Sequence, residues 1–300
     1  SGKNLTAGGN AEELQDVIQK AKRMDFVLVM DVTNSMGPYM EKVRQHLVEI
    51  VNSLKEINVD GPPITTHIGV VAYRDYTDRN SSFQTRALNL TTDHSEVLRF
   101  LHALEPGGGK WTNEAVSEAL AEGVNVMNWG ERSSRVICLV GDAPPHTPDD
   151  NDTTELLQAG TRIQSSFFRQ PFEENARRIR RMAEANRIQL YALAVGDDQL
   201  TRHRFRQYVD RDKRFFALQN SQQFIDTLAE EIGKSYRRQR QAVGRLEDVA
   251  RDAAEVSSLK KEELEYFKLI NVTPDMLASL KKEPLQEGWC TPEIGERGNA

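Results

Sequence analysis

Asp31, Thr33 and Ser35 alternate along the stretch Asp31-Val32-Thr33-Asn34-Ser35-Met36. Alternate side chains of an extended segment project the same way, so one carboxylate and two hydroxyls converge. Those oxygens suit a hard divalent cation, and hydroxyl ligands leave its charge incompletely neutralised. Ser35 has a competing use, because it stands where a helix beginning near Gly37 needs an N-cap. A cap alone does not call for Asp31 and Thr33 as well. The stretch follows Phe26-Val27-Leu28-Val29-Met30, an apolar run that reads as a strand.

The elements that must position these residues follow from hydrophobic spacing. Residues 37–57 carry Met40, Val43, Leu47, Ile50, Val51 and Leu54 at steps of three and four, one apolar face of a helix. Ile68 to Tyr73 reads as a strand with a hairpin partner around Phe83 to Leu90. Helical spacing returns over 93–104 and 113–127, and Val136 to Val140 reads as a buried strand. Further helices are expected over 172–186, 201–210 and 221–236, with strands at Ile188 to Val195 and Arg214 to Leu218. Strands alternating with helices in this way imply a doubly wound α/β fold with a mostly parallel sheet. After residue 240 the strand signal disappears. Helices are expected near 243–256, 260–270 and 274–282, with Thr273 as N-cap and Pro274 in the first turn. The organisation read from the chain is a helical lead-in (1–23), a main domain (24–240) and a helical extension with a tail (241–300). The pentamer at Ser258-Leu259-Lys260-Lys261-Glu262 recurs at Ser279-Leu280-Lys281-Lys282-Glu283, too few copies for a repeat array.

Ligands of a parallel α/β sheet bind outside the carboxyl ends of its strands, so the loops there matter most. The order of motifs resembles the von Willebrand factor type A family, whose metal-ion-dependent adhesion site has the pattern Asp-x-Ser/Thr-x-Ser after the first strand. Asp31, Thr33 and Ser35 match it, and the resemblance spans residues 24–240. It implies a Rossmann-like fold and two further ligands. A third-loop Asp corresponds to Asp142, in Gly141-Asp142-Ala143-Pro144-Pro145-His146 after the strand at Val136 to Val140. The second loop corresponds to Pro106-Gly107-Gly108-Gly109-Lys110-Trp111-Thr112-Asn113-Glu114-Ala115. Some family members carry Gly-Gly-Asp-x-Pro-Glu here. Aligning Glu114 with that Glu puts Trp111 in place of Asp, and an indole does not ligate a cation, so Thr112 is the expected hydroxyl ligand. The implied ion is Mg²⁺, with Mn²⁺ or Ca²⁺ as substitutes. Its open coordination position would take a partner's Asp or Glu. Tyr73-Arg74-Asp75-Tyr76 and the Gly141 to His146 segment resemble the bacterial and kinase-linked branches of the family.

Around this site the expected partner-binding rim comprises Asn34, Met36, Arg74, Asp75, Trp111, His146, Asp149, Asp150 and Asp152. Asp75 has two readings, holding a water beneath the metal or pairing with Arg74. The stretch from Ala143 to Pro171 is far longer than a usual connection of roughly 2–6 residues. Within it no Gly and closing Glu fall at the spacing of an EF-hand; its acids Asp149, Asp150 and Asp152 would ordinarily be just solvated, but beside a metal they are read as setting partner choice. The resemblance also implies that site occupancy could be coupled to movement of the helix at Ser221 to Tyr236.

Composition limits the function classes. The chain has 300 residues and net charge −6, with 38% hydrophobic and 28% charged residues, so a full core is available and no whole-chain basic footprint exists. No apolar run approaches the roughly 18–20 residues of a membrane span. Two cysteines, Cys138 and Cys290, permit at most one disulfide, and Cys138 sits in an apolar run as a core residue. The start at Ser1 without a signal peptide fits a trimmed or processed form, leaning the expected location to an extracytoplasmic one. Water activation by a metal beside His146 or His67 would make the protein a hydrolase. Hydroxyl-rich coordination offers little for proton transfer, and no Ser-His-Asp or Cys-His array is evident, so an enzyme is not expected. Arg177, Arg178, Arg180 and Arg181, or Arg237, Arg238 and Arg240, would serve nucleic acid, but such runs read as solvated helix faces. The expected function is metal-dependent protein binding, for adhesion or scaffolding. Trp289 either packs back on the domain or anchors a partner.

Overall fold

β1 (Arg23–Asp31) is buried on both sides, and the rest of the molecule is arranged around it. Its even and odd residues face opposite ways, as a pleated strand requires. Phe26, Leu28 and Met30 enter one core, while Val27 and Val29 enter another on the far side of the sheet. β4 (Ser134–Gly141) repeats the division, sending Val136, Cys138 and Val140 one way and Ile137 and Leu139 the other. A strand covered on both faces has no polar side, and so these runs are continuous rather than alternating. The computed structural model describes residues 15–57, 59–76, 83–108, 112–158, 165–273 and 275–277.

The sheet has six strands in the order β3-β2-β1-β4-β5-β6, completed by β2 (Thr65–Tyr73), β3 (Thr85–Thr91), β5 (Ile188–Val195) and β6 (Phe215–Leu218). All neighbours are parallel except β2 and β3, the hairpin edge. The first helical segment, α1, covers residues 15–21. α2 (Gly37–Ser53) and α3 (His94–His102) join it on one face. α4 (Val116–Asn125), α6 (Phe172–Ala185) and α7 (Gln199–Tyr208) cover the other. The chain leaves β1 for β2 on one side and reaches β4 on the other. The carboxyl ends of β1 and β4 therefore flank a topological switch point, the usual ligand crevice of such a sheet. The α/β doubly wound expectation is met.

Two elements depart from the spacing-based reading. The stretch from Ala143 to Pro171 contains a helix, α5 (Asn151–Gln158), so it is not a continuous loop. α8 runs unbroken over Ser221–Arg251, where two helices were expected, and position 240 lies inside it. At roughly 1.5 Å per residue, α8 is about 46 Å long and overhangs the amino ends of the strands. Side chains and a glycine contact hold the overhang. Arg240 donates to the carbonyls of Ile57 at 2.6 Å and Gly61 at 2.7 Å. A Cβ on Gly244 would lie 2.8 Å from Gly61 Cα, so only glycine permits this approach. α9 (Lys261–Leu269) then folds back, burying Phe267 in the same core as β1 and donating the Tyr266 hydroxyl to Ser134 at 3.0 Å. Thr273 Oγ1 accepts from Met276 N at 3.3 Å, the cap expected there. Among the described residues, no helix is long and apolar enough to cross a membrane. Trp289, Cys290 and the second pentamer lie outside the described residues.

Candidate metal centre

Asp31 is the last residue of β1, and Asp142 follows the last residue of the neighbouring β4. Adjacent parallel strands thus deliver two carboxylates to one crevice. Asp31 is fully buried, and its Oδ1 accepts from Thr33 N at 2.8 Å and Thr33 Oγ1 at 2.7 Å. Ser35 donates a side-chain hydrogen bond to Asp142. Each hydroxyl has a single proton, and each gives it to a carboxylate, so the lone pairs of Thr33 Oγ1 and Ser35 Oγ remain available. These two oxygens lie 3.4 Å apart. Ser35 is not an N-cap. Residues Asn34–Met36 form a short 3-10 turn, and neither that turn nor α2 receives a side-chain cap bond.

The other oxygen of Asp31, Oδ2, is buried with no hydrogen-bond partner among the described residues. Burial, and then the charge of nearby Asp142, push the Asp31 carboxyl up to about 7, against the bonds from Thr33 and the charge of Arg74. Burial also raises Asp142, partly offset by its bond from Ser35. Two carboxylates brought together in one crevice, one of them buried with an orphaned oxygen, are an arrangement that a divalent cation would relieve. The donor set is all oxygen and carries hydroxyls, as a hard cation requires. Among the described residues, no group of three or more His, Cys, Asp or Glu side chains is arranged to hold a metal ion, so a His/Cys cage of the zinc type is absent from that set.

Backbone bonds lace the three loops together. Val32 N donates to Tyr73 O at 3.0 Å, and Gly107 N to Val32 O at 3.1 Å. Ala115 N donates to Arg74 O at 3.1 Å, Glu114 N to Pro144 O at 2.9 Å, and His146 N to Glu114 O at 3.1 Å. The glycine-rich loop is therefore stitched to the first loop at one end and to the third at the other. Asn34 adds a side-chain bond to Gly108 O at 3.2 Å. Thr112 is exposed, two residues before the Glu114 bridge. Trp111 lies outside the described residues.

Burial corrects much of the expected rim. Met36 is a core residue, and Arg74, Asp75 and His146 are buried, so none of them forms a contact surface. Arg74 stacks 4.5 Å over the Phe83 ring and donates to Glu105 O, holding the entry to the second loop. Asp75 Oδ1 accepts from His146 Nε2 at 2.9 Å, a partner that neither earlier reading of Asp75 named. The carboxylate places the ring proton on Nε2, and Nδ1 faces Thr153 Oγ1 at 3.4 Å. Tyr76 and Phe168 pack on this imidazole. His67 belongs to the opposite end of the sheet, paired in register with Asp25, and does not approach the loops. Asp150 is bound by Arg204 through both oxygens, at 3.2 and 3.0 Å, and accepts from Thr147 N at 2.8 Å. Burial pushes its carboxyl up, but Arg204 and Thr147 more than offset this and leave it below the ordinary range. Asn34, Ser35, Thr112 and Asp149 are the exposed residues left. The Asp152 side chain lies outside the described residues.

Several supporting residues carry no sequence signal. Arg204 reaches Asp150 across 54 positions and also donates to Pro145 O at 2.7 Å. Glu118 is half-buried and takes hydrogen bonds from Tyr76 and Ser165. Thr201 Oγ1 donates to Asp142 O at 3.3 Å, tying α7 to the third loop.

A parallel sheet with a carboxylate–hydroxyl crevice at its switch point defines a class. The profile of the von Willebrand factor type A domain matches residues 25–231, and the chain belongs to that family. It is 27% identical over 146 residues to the alpha-protein kinase vwkA of Dictyostelium discoideum, covering 48% of this chain and 22% of the kinase. It is 28% identical over 123 residues to a putative ariadne-like RING finger protein of Acanthamoeba polyphaga mimivirus, covering 41% and 11% of the two chains. The chain thus matches about a fifth or less of these relatives' length. Among solved structures, the vWF domain of the type V pili tip protein Mfa5 from Porphyromonas gingivalis aligns with a TM-score of 0.50 at 12% identity. That alignment covers 71% of this chain and 96% of that one, a likeness of fold.

Proposed function

We propose that this protein is a metal-dependent protein-binding module. Asp31, Ser35 and Asp142 would hold a divalent cation, with Thr33 contributing directly or through water and Thr112 closing the second-loop side. Mg²⁺ suits so small a set of charged ligands, since it keeps several waters in near-octahedral geometry. When bound, the cation would supply an electrophilic point for one carboxylate oxygen from a partner's Asp or Glu. The protein's own part is to orient the oxygens and exclude competing solvent. The observation that carries this reading is the buried, unpartnered Oδ2 of Asp31 beside Asp142.

The module is read as a binder rather than a catalyst. His146 is buried with both ring nitrogens facing partners, and His67 is at the other end of the sheet. The pilus-tip domain it resembles in fold is consistent with an adhesive or scaffolding use. The exposed Asn34, Ser35, Thr112 and Asp149 would frame the partner's carboxylate. The test is capture from native lysate by immobilised wild type and Asp31→Ala, each in Mg²⁺ and in chelator. Partners retained only by wild type in Mg²⁺ support the reading. Capture unchanged by chelator and by the substitution refutes it.

A further inference from the structure

At the opposite end of the sheet, a cleft of about 2280 Å³ opens between the end of α6, the segment joining α7 to β6, and the overhang of α8 with α9. Its walls carry fourteen Lys and Arg against nine Asp and Glu, a surplus of five positive charges in a chain whose net charge is −6. These walls are therefore net basic, while the rest of the chain is net acidic.

Much of the acidic minority is already engaged. Glu231 binds Lys234 at 2.7 Å, Glu263 binds Arg245 at 3.0 Å, Glu265 binds Lys268 at 2.7 Å, and Glu247 binds Lys22 at 2.9 Å. By contrast, Arg181, Lys213 and Arg238 are exposed on three different walls. They have no ion pair or side-chain hydrogen bond among the described residues. Three separate elements thus direct unneutralised cations into one concave space. Attraction between such a cleft and an opposite charge is focused by the low-dielectric walls around it.

We infer that this cleft binds an acidic polypeptide segment, one rich in Asp and Glu, independently of the metal centre. Two features favour a polypeptide over nucleic acid. Single-stranded nucleic acid needs exposed aromatic faces for base stacking, but Tyr191, Tyr208 and Phe267 in these walls are buried. The Tyr266 hydroxyl is committed to Ser134 and Gln239. Asp60, Glu184 and Glu262 also interrupt the basic walls. They would repel a continuous phosphate backbone, whereas a peptide with mixed neutral positions can pass them.

The experiment uses the full chain and fluorescence anisotropy of a labelled peptide in which Glu residues are interspersed with Gly and Ser, at low salt, with a single-stranded DNA oligonucleotide of matched charge as comparator. Wild type binds the peptide, binding weakens as salt is raised, and Asp31→Ala in chelator binds equally well. The combined exposed substitutions Arg181→Glu, Lys213→Glu and Arg238→Glu weaken it by about tenfold or more, with an unchanged melting temperature as the check on folding. A single reversal, Arg238→Glu, shows an intermediate loss. The inference is overturned by no peptide binding at low salt, by unaltered affinity in the folded triple variant, or by DNA binding more tightly than peptide.

Discussion

Asp31→Asn separates the electrostatic role of Asp31 from its structural one. The amide oxygen can still accept from Thr33 N and Oγ1, while the orphaned Oδ2 becomes an NH₂ donor beside the Asp142 carboxylate. In metal-free wild type, the folded-state carboxyl is raised from 3.8 to about 7. Between those values the folded chain retains a proton that the unfolded chain has released, so stability falls as pH rises through that window. At ~1.4 kcal/mol per pH unit, holding Asp31 ionised in the absence of a cation costs on the order of 4 kcal/mol above pH 7. Denaturant unfolding in chelator at pH 5 and pH 8 measures the effect directly. Wild type should be markedly less stable at pH 8, and Mg²⁺ at about a hundredfold excess over its dissociation constant should restore roughly 2.7 kcal/mol. Asp31→Asn should be more stable than wild type at pH 8 in chelator, less sensitive to pH over this range, and unresponsive to Mg²⁺. Equal pH dependence in the two proteins would refute the reasoning.

Other substitutions test the supports of the site. A Cβ on Gly141 would press on the Tyr73 hydroxyl and approach Asp31 Cβ to 3.4 Å, so Gly141→Ala should cost about 1–3 kcal/mol and weaken metal binding, read by calorimetry. Arg204→Met leaves Asp150 without its two charged bonds and should destabilise by about 1.5–3 kcal/mol. Because the folded-state carboxyl of Asp150 is lowered, this loss should be present at neutral pH and shrink as pH falls below about 4, as denaturation at pH 3 and pH 7 would show. Phe267→Ala should cost about 3–5 kcal/mol in thermal or chemical unfolding without altering metal affinity, since α9 packs at the far end from the crevice.

The sheet was legible in the sequence because buried parallel strands need unbroken apolar runs and their helices need a repeating face. Asp31, Thr33 and Ser35 were legible as candidates because they alternate directly after such a run, and Asp142 was implied by the family resemblance. Sequence spacing could not reveal direction. Met36 and Asn34 are neighbours in a polar loop, yet the 3-10 turn sends one into the core and the other outward. Nor does it reveal long-range pairing. Asp75 and Asp150 read as rim acids until His146 and Arg204, 71 and 54 positions away, claim them. The continuous α8 was missed for a related reason. Its stretch Arg237-Arg238-Gln239-Arg240 carries no apolar residue to continue the repeating face between the two expected helices, but Gln239 donates to Ala21 O at 2.6 Å and Arg240 to the loop at Gly61. Tertiary bonds there replace the apolar signal that spacing relies on.

Crystals soaked in Mn²⁺, with anomalous difference density collected at the manganese edge, test the central claim most directly. The account predicts one strong peak between the side chains of Asp31, Ser35 and Asp142, lost in crystals of Asp31→Asn. A map without density at that point, while Asp31 and Asp142 remain in place, would contradict it.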